Sequence, residues 1–302
     1  MSTEVISKSS FFLFRDKIEK EIAKSILSFG EKNKLRDACE YALLSGGKRF
    51  RPIIVMMIAE ALGHDLNVAP AALAVEFVHT ASLIADDLPC MDNDDERREK
   101  PSLHKAFGES VALLASYSLI FAAYEKIHEN AMLMKLADPP FCGFAEQVCC
   151  IALSHSSRAA GIRGATMGQY LDLNPSTHSL EMMRDILYKK TGTLFEISFV
   201  FGWLFGGGII ELLDQVKQAA YHFGMAFQVV DDMGDFAQDE KNRREINVAR
   251  LLGKQRAYNL FRKEMDSFKL LLNELEINTP SFEKMSHLLE KTASFHFETG
   301  KG

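Results

Sequence analysis

Apolar residues recur at three- and four-residue spacing through long stretches of the chain, as in Ala71 to Ile84 (AALAVEFVHTASLI) and Val216 to Val230 (VKQAAYHFGMAFQVV). That period places them on one face of an α-helix. No run of alternating β-branched residues bounded by turn signals appears, so strands are not expected. Prolines at 52, 70, 89, 101, 139 and 140 punctuate the first part, and none occurs between Pro175 and Pro280, which leaves room for long helices. Several stretches are apolar nearly all round, the pattern of central helices wrapped by others. The expected fold is all-α, a large helical bundle around a central cavity. Without linker, repeat or low-complexity segment, residues 1–302 are expected to form a single domain.

Composition narrows the partners. With 302 residues, 47% hydrophobic and 25% charged, the chain can bury a large core. Thirty-five basic residues against 41 acidic ones give a formal charge of −6, so no nucleic acid or anionic lipid is expected and any phosphate site must be local. Five cysteines (Cys39, Cys90, Cys142, Cys149, Cys150) form no CxxC pair, which signals neither a disulfide framework nor zinc and suits a reducing compartment. Near the N-terminus the one apolar run, Phe11 to Phe14, is too short for a signal-peptide core or a spanning helix, and Glu4 and Asp16 argue against an organelle-targeting peptide. A cytosolic chain without a stable membrane anchor is the expectation.

The strongest chemical signal is Asp86-Asp87-Leu88-Pro89-Cys90-Met91-Asp92-Asn93-Asp94-Asp95-Glu96, directly after the apolar helix from Ala71. Pro89 should kink or end that helix. Carboxylates at a helix C-terminus face the negative end of the macrodipole and repel one another, by a few tenths to ~1 kcal/mol each. A divalent cation reverses the sign, and oxygen-only ligands select Mg²⁺ before Zn²⁺ or Cu²⁺. A second motif, Asp231-Asp232-Met233-Gly234-Asp235, closes another apolar helix, with Asp231 and Asp235 one turn apart. Two acidic helix ends converging on a cavity would bind Mg²⁺ once a diphosphate supplies the remaining oxygens. Basic residues occur where a phosphate ligand needs them: Gly46-Gly47-Lys48-Arg49-Phe50-Arg51 before a helix, Arg97-Arg98 after the first acidic run, and Lys190-Thr191. His79 lies seven residues before Asp86 on the same helical face.

Together these segments resemble the trans-isoprenyl diphosphate synthases, in particular short-chain synthases of the geranylgeranyl and bacterial farnesyl type. GGKRFRP (46–52) resembles the family's diphosphate-binding loop, and VEFVHTASLIADDLPCMDNDDERR (75–98) its first aspartate-rich motif in the DDxxxxD form. GQYLDL (168–173), KKTGTLF (189–195) and FQVVDDMGDF (227–236) follow in the family's order. The resemblance implies an all-α homodimer that condenses isopentenyl diphosphate head-to-tail with allylic prenyl diphosphates (dimethylallyl, geranyl, farnesyl). It also implies that Asp86, Asp92 and Asp231 ligate magnesium on the allylic diphosphate, with Asp87, Asp232 and Asp235 among the supporting catalytic carboxylates. Arg97, Lys190 and Gln228 would contact the same diphosphate. Gly47, Lys48, Arg51, His79 and Arg98 would hold isopentenyl diphosphate, and Thr191 with the carbonyl near Lys190 would line the allylic cation.

Product length follows from helix geometry. Ser82 lies one turn below Asp86, Ala81 beside it, and Val78 and Phe77 a further turn down, about 5 Å per turn. Farnesyl-forming relatives commonly carry an aromatic floor where this chain has Ala81. Burying another five-carbon unit gains ~3–4 kcal/mol at ~0.8 kcal/mol per carbon, so geranylgeranyl diphosphate is expected, a stop at the farnesyl product being the competing reading if Phe77, Ile120 or Phe121 sets the floor. The chain departs from the family pattern at Ala85, at Ser116-Tyr117 where relatives have Gly-Asp, at Glu96 and Glu99, and in a shortened segment after Asp235. Those departures motivate a second competing reading, a non-catalytic partner subunit of another prenyl synthase. A terpene cyclase would carry an Asn/Ser/Glu metal motif in place of DDMGD.

Overall fold

The computed structural model describes residues 3–175, 179–234 and 247–299. It divides into two compact units, one formed by residues 1–153 and 204–207, the other by 154–203 and 208–302. The all-α expectation holds for both.

The first unit contains α1 (Thr3–Ile26), α2 (Lys34–Leu43), α3 (Phe50–Leu62), α4 (Ala69–Asp86), α5 (Leu103–Phe107), α6 (Glu109–Lys135) and most of α7 (Phe141–Ala160). Local sequence sets several of the ends. The Asn33 side chain accepts from the Leu35 and Arg36 amides at 3.0 Å, capping α2. Pro70 sits in the first turn of α4, where its missing N–H costs nothing. Gly63, at φ 71°, ends α3 in the left-handed region. α3 buries every side chain from Pro52 to Ala59 and α4 every one from Ala69 to Phe77, as their all-round apolar pattern requires. α4 then stops at Asp86, three residues before Pro89.

The one strand pair among the described residues was not expected. β1 (Glu96–Arg97) and β2 (Lys100–Pro101) pair antiparallel, with Glu96 opposite Pro101 and Arg97 opposite Lys100. The two turn residues, Arg98 and Glu99, both have positive φ, 55° and 62°.

The second unit holds the end of α7, α8 (Ala165–Leu173), α9 (Leu180–Leu187), a π-helical turn (Tyr188–Gly192), most of α10 (Thr193–Phe205), α11 (Leu213–Gly234), α12 (Val248–Leu252), α13 (Lys254–Glu274) and α14 (Pro280–Thr299). Its core is a ladder of phenylalanines. Phe195 meets Phe223 edge-on at 5.1 Å, Phe223 meets Phe268 at 5.2 Å, and Phe199 and Phe282 complete the cluster. Edge-to-face pairs of this kind each contribute about 0.5–1.5 kcal/mol beyond area burial.

Candidate active site

The first aspartate motif is folded by its own backbone. The Asp92 amide donates to the Asp86 carbonyl at 2.9 Å, and the Met91 and Asn93 amides donate to Leu88 at 2.9 and 3.1 Å. The loop therefore turns back so that Asp92 stands beside the end of α4, where Asp86 is half-buried and Asp92 exposed. Asp87 has a different task. It is buried and accepts from Arg97 Nε at 3.0 Å and also from Arg97 Nη2, while Asp94 stands 3.2 Å from the same Nη2. Burial lifts the Asp87 carboxyl above its ordinary pKa, and the Arg97 guanidinium opposes that rise without cancelling it. Asp95 pairs with Lys105 at 2.7 Å.

Below this loop lies a basic cluster from GGKRFRP, α4 and the hairpin. Arg98 donates to the Gly46 carbonyl. A Cβ at Gly47 would stand 2.6 Å from the Arg98 guanidinium carbon, and Gly47 has φ +123°, so this loop admits no side chain there. Arg51 Nη1 stands 3.4 Å from His79 Nε2. Burial, reinforced by Arg51 and Arg98, holds His79 well below the ordinary imidazole pKa, so it is neutral. Lys48 is exposed. Its neighbour Arg49 is buried, donating to Glu19 at 2.9 Å, to the Leu43 carbonyl at 2.5 Å and to buried Glu76. Arg49 thus ties α1, α2 and α4 together, a role sequence reasoning missed. A Glu in the otherwise apolar first half of α4, Glu76, was the available signal.

In the second unit, Lys190 and Thr191 lie within the π-helical turn. Gly168 of GQYLDL makes that turn possible: a Cβ there would stand 2.3 Å from the Lys190 amide nitrogen. Lys190 pairs with Asp172, the acidic residue of the same GQYLDL segment and a partner sequence reasoning missed. Tyr188, at the start of the turn, donates to Glu196, and the His155 ring stands 3.4 Å from the other Glu196 oxygen. Burial is the main cause that raises both the Tyr188 and the Glu196 pKa and depresses His155 to about 4.

The second aspartate motif repeats the logic of the first. Asp231 is exposed on the last turn of α11, whereas Asp232 is buried. Asp232 accepts from Gln228 Nε2 at 2.8 Å and from the Val248 amide at 2.7 Å, and its carbonyl accepts from Asn247 Nδ2 at 2.9 Å. The Asn247 side chain in turn caps α12 through the Arg250 amide at 2.9 Å. Asp232, expected among reacting carboxylates, therefore anchors the start of α12. Gln228, expected on a diphosphate, supports it. Asp235 lies outside the described residues.

Among the described residues no three acidic, histidine or cysteine side chains stand together as a metal cluster. The donor set nevertheless suits a hard cation: Asp86 and Asp92 are brought together at the negative end of α4, offer oxygen only, and leave other coordination positions to a ligand.

Around the expected floor, Ala81 is only 2% exposed, and its carbonyl accepts from the buried Ser116 hydroxyl of α6 at 2.9 Å. The Ser82 hydroxyl donates to the His79 carbonyl at 2.9 Å. Phe77 is fully buried and meets Phe29 edge-on at 5.7 Å.

Comparison with known proteins agrees with this geometry. The polyprenyl synthetase family model matches residues 32–247. Among curated relatives, the chloroplastic geranylgeranyl pyrophosphate synthase 7 of Arabidopsis thaliana is 37% identical over 239 residues, covering 77% of this chain and 66% of the relative. The chloroplastic large subunit 1 of the heterodimeric geranylgeranyl pyrophosphate synthase of the same plant is 36% identical, over 77% of this chain and 62% of the relative. The chain thus spans under two thirds to about two thirds of these relatives' length. Among solved structures, a geranyltransferase from Legionella pneumophila superposes with a TM-score of 0.82 at 27% identity, covering 97% of this chain and 99% of that one. An FPP/GFPP synthase from Zymomonas mobilis gives 0.80 at 27%, covering 96% and 100%. The cytosolic expectation is corrected by these findings. It rested on the cysteine pattern and on the residues near the N-terminus, and both plant relatives are chloroplastic. Ordered motifs, fold and family match lead to one statement: the chain belongs to the polyprenyl synthetase family.

Proposed function

We propose that the chain acts as one isoprenyl diphosphate synthase domain, condensing isopentenyl diphosphate head-to-tail with dimethylallyl, geranyl or farnesyl diphosphate to give geranylgeranyl diphosphate. The observation that carries this reading is the matched division of labour in the two aspartate pairs. Asp87 and Asp232 are buried and bonded into their loops, while Asp86 and Asp231 are left at least partly exposed on the closing turns of their helices. Holding carboxylates at two helix C-termini against the macrodipole is unfavourable unless a cation meets them.

Asp86, Asp92 and Asp231 would hold Mg²⁺, whose charge stabilises the departing diphosphate when bound. The chain's own residues bind and orient. Arg97 uses its Nε/Nη2 edge on Asp87 and has its other edge for the allylic diphosphate, with Lys190 and Gln228 as further contacts. Lys48, Arg51 and Arg98 hold isopentenyl diphosphate beside Gly47, where neutral His79 offers an N–H donor rather than a second cation. Thr191 and the carbonyl near Lys190, both in the π-helical turn, would lie along the allylic cation. The names of the plant relatives support a C20 product, as does Ala81 in place of an aromatic.

A homodimer is part of the proposal. One face of α6 is bonded to α4 through Ser116, and its other face presents Leu114, Tyr117 at 51% and Phe121 at 67% exposure. Such a stripe suits a second copy. By length and composition α6 could also cross a membrane, but a helix with one face packed on protein in this way is better explained by a soluble partner.

The test is to incubate the purified protein with Mg²⁺, labelled isopentenyl diphosphate and, separately, dimethylallyl, geranyl and farnesyl diphosphates, then size the dephosphorylated products. A C20 product is expected. No product from any primer would sink the reading in favour of a partner subunit, and a C15 stop would keep the chemistry while refuting the open floor.

A further inference from the structure

Phe77 lies one turn below Ala81 on α4, so a prenyl chain growing down this face past Ala81 next meets the Phe77 ring. That ring does not stand alone. Phe29, in the turn between α1 and α2, packs edge-on against it at 5.7 Å. Phe77 is fully buried, whereas Phe29 is only half-buried, because its other side borders a surface cleft of about 500 Å³. The cleft is lined in part by Leu35 and Cys39 of α2 and by Leu119, Phe121 and Ala122 of α6. Its size falls within the roughly 300–1,000 Å³ range of small-molecule sites. The wall between the face below Ala81 and this cleft is thus two aromatic rings thick, and its outer ring comes from a turn that carries none of the motif residues.

We propose that Phe29 is a product-length determinant: it backs Phe77 as the outer layer of the floor, and its ring separates the growing chain from the cleft behind it. This rests on the prenyl-transfer reading above. An edge-to-face pair loses its geometry when either ring is removed, and a Phe77 ring without its backing can swing toward the space vacated. The two positions therefore act as one barrier, and removing either opens the same route. Helix-face reasoning about α4 alone would not find Phe29, because it lies nearly fifty residues upstream of Phe77.

The experiment compares the full-length protein with Phe29→Ala, Phe29→Leu and Phe77→Ala, using Mg²⁺, labelled isopentenyl diphosphate and farnesyl diphosphate, with products sized after dephosphorylation. Phe29→Ala and Phe77→Ala are expected to lengthen the longest major product by at least one five-carbon unit, and the double variant to go no further than the longer single one. KM for isopentenyl diphosphate should stay within about twofold, since the basic cluster is untouched. Should Phe29→Ala not fold, as circular dichroism would show, Phe29→Leu keeps an apolar side chain and should give the same shift in part. An active wild type whose products are unchanged in the folded Phe29 variants would overturn this inference and leave the prenyl-transfer reading intact. An inactive wild type would overturn both.

Discussion

The Asp87 carboxylate accepts from the Arg97 side chain at the end of α4, and the Asp232 carboxylate accepts from the Val248 amide at the end of α11. In each aspartate pair the second residue is buried and spent on holding the following segment, and the first is left more exposed, half-buried at Asp86 and exposed at Asp231. The two members should therefore fail differently. Asp232→Ala leaves the buried Val248 N–H without its acceptor, at a cost of about 1–3 kcal/mol, and removes the acceptor of the half-buried Gln228 amide. Asp86→Ala and Asp231→Ala should keep helicity and thermal midpoint near the wild type but lower condensation on the order of 100-fold or more, the scale for removing one electrostatic partner of a developing charge. Circular dichroism melts beside product assays separate the classes. Near-normal turnover in Asp86→Ala or Asp231→Ala would refute the metal-holding role.

The helices that carry these motifs were legible because α4 is apolar nearly all round and α11 is periodic over more than four turns, and an apolar pattern of that length outweighs local noise. What was not legible depended on partners distant in sequence. Lys48 and Arg49 are adjacent cations, yet one is solvated and the other buried, and the positions of Glu76 on α4 and Glu19 on α1 decide which. The π-helical turn around Lys190 forms where Gly168 lets α8 approach backbone to backbone, which no propensity reports. The hairpin at 96–101 has no Asn-Gly or similar turn signal. Tertiary contacts of Arg98 with Gly46 hold it instead.

That hairpin yields a prediction. Its two turn positions require φ > 0, the mirror-type turn that favours Gly or Asn, and Glu99 occupies one of them at 62°. A side chain in the left-handed region costs roughly 1–2 kcal/mol, offset in part by the larger unfolded-state freedom of glycine. Glu99→Gly should therefore raise stability by about 0.5–1 kcal/mol, seen as a higher urea midpoint at unchanged m-value. A lower midpoint would mean that the Glu99 side chain makes a contribution larger than the strain it imposes.

His155 gives the chain an acid-sensitive element. Its pKa falls from an ordinary value near 6.5 to about 4 through burial. Between those values the unfolded chain binds a proton that the folded chain does not, so stability is full above about pH 6.5 and is lost as pH falls toward 4. The slope approaches about 1.4 kcal/mol per pH unit. Glu196 beside it works in the opposite sense: its carboxyl is raised, so proton uptake by the folded state recovers stability as pH falls. Comparing wild type with His155→Gln isolates the histidine, since Glu196 is present in both. The variant should lose less stability between pH 6.5 and 4.5, by about 2 kcal/mol in urea titrations. Parallel pH profiles would show that His155 is protonated in the folded state.

Ala81 and Ser116 set the last expectation. The Ala81 side chain is buried at 2% exposure and its carbonyl is held by the Ser116 hydroxyl, so a larger side chain at 81 meets α6 as well as the growing product. Ala81→Phe should cost about 1–3 kcal/mol through overpacking and shorten the main product by one five-carbon unit. Ser116→Gly in the same chain opens room on α6 for the new ring, so the double variant should regain part of the stability while keeping the shorter product. Relief of overpacking and blockage of the chain are thereby separated: stability follows the fit between positions 81 and 116, and product length follows the ring at 81 alone. An unchanged product distribution in Ala81→Phe, with the protein folded, would place the floor at the Phe77 level and assign the limit to the aromatic pair below.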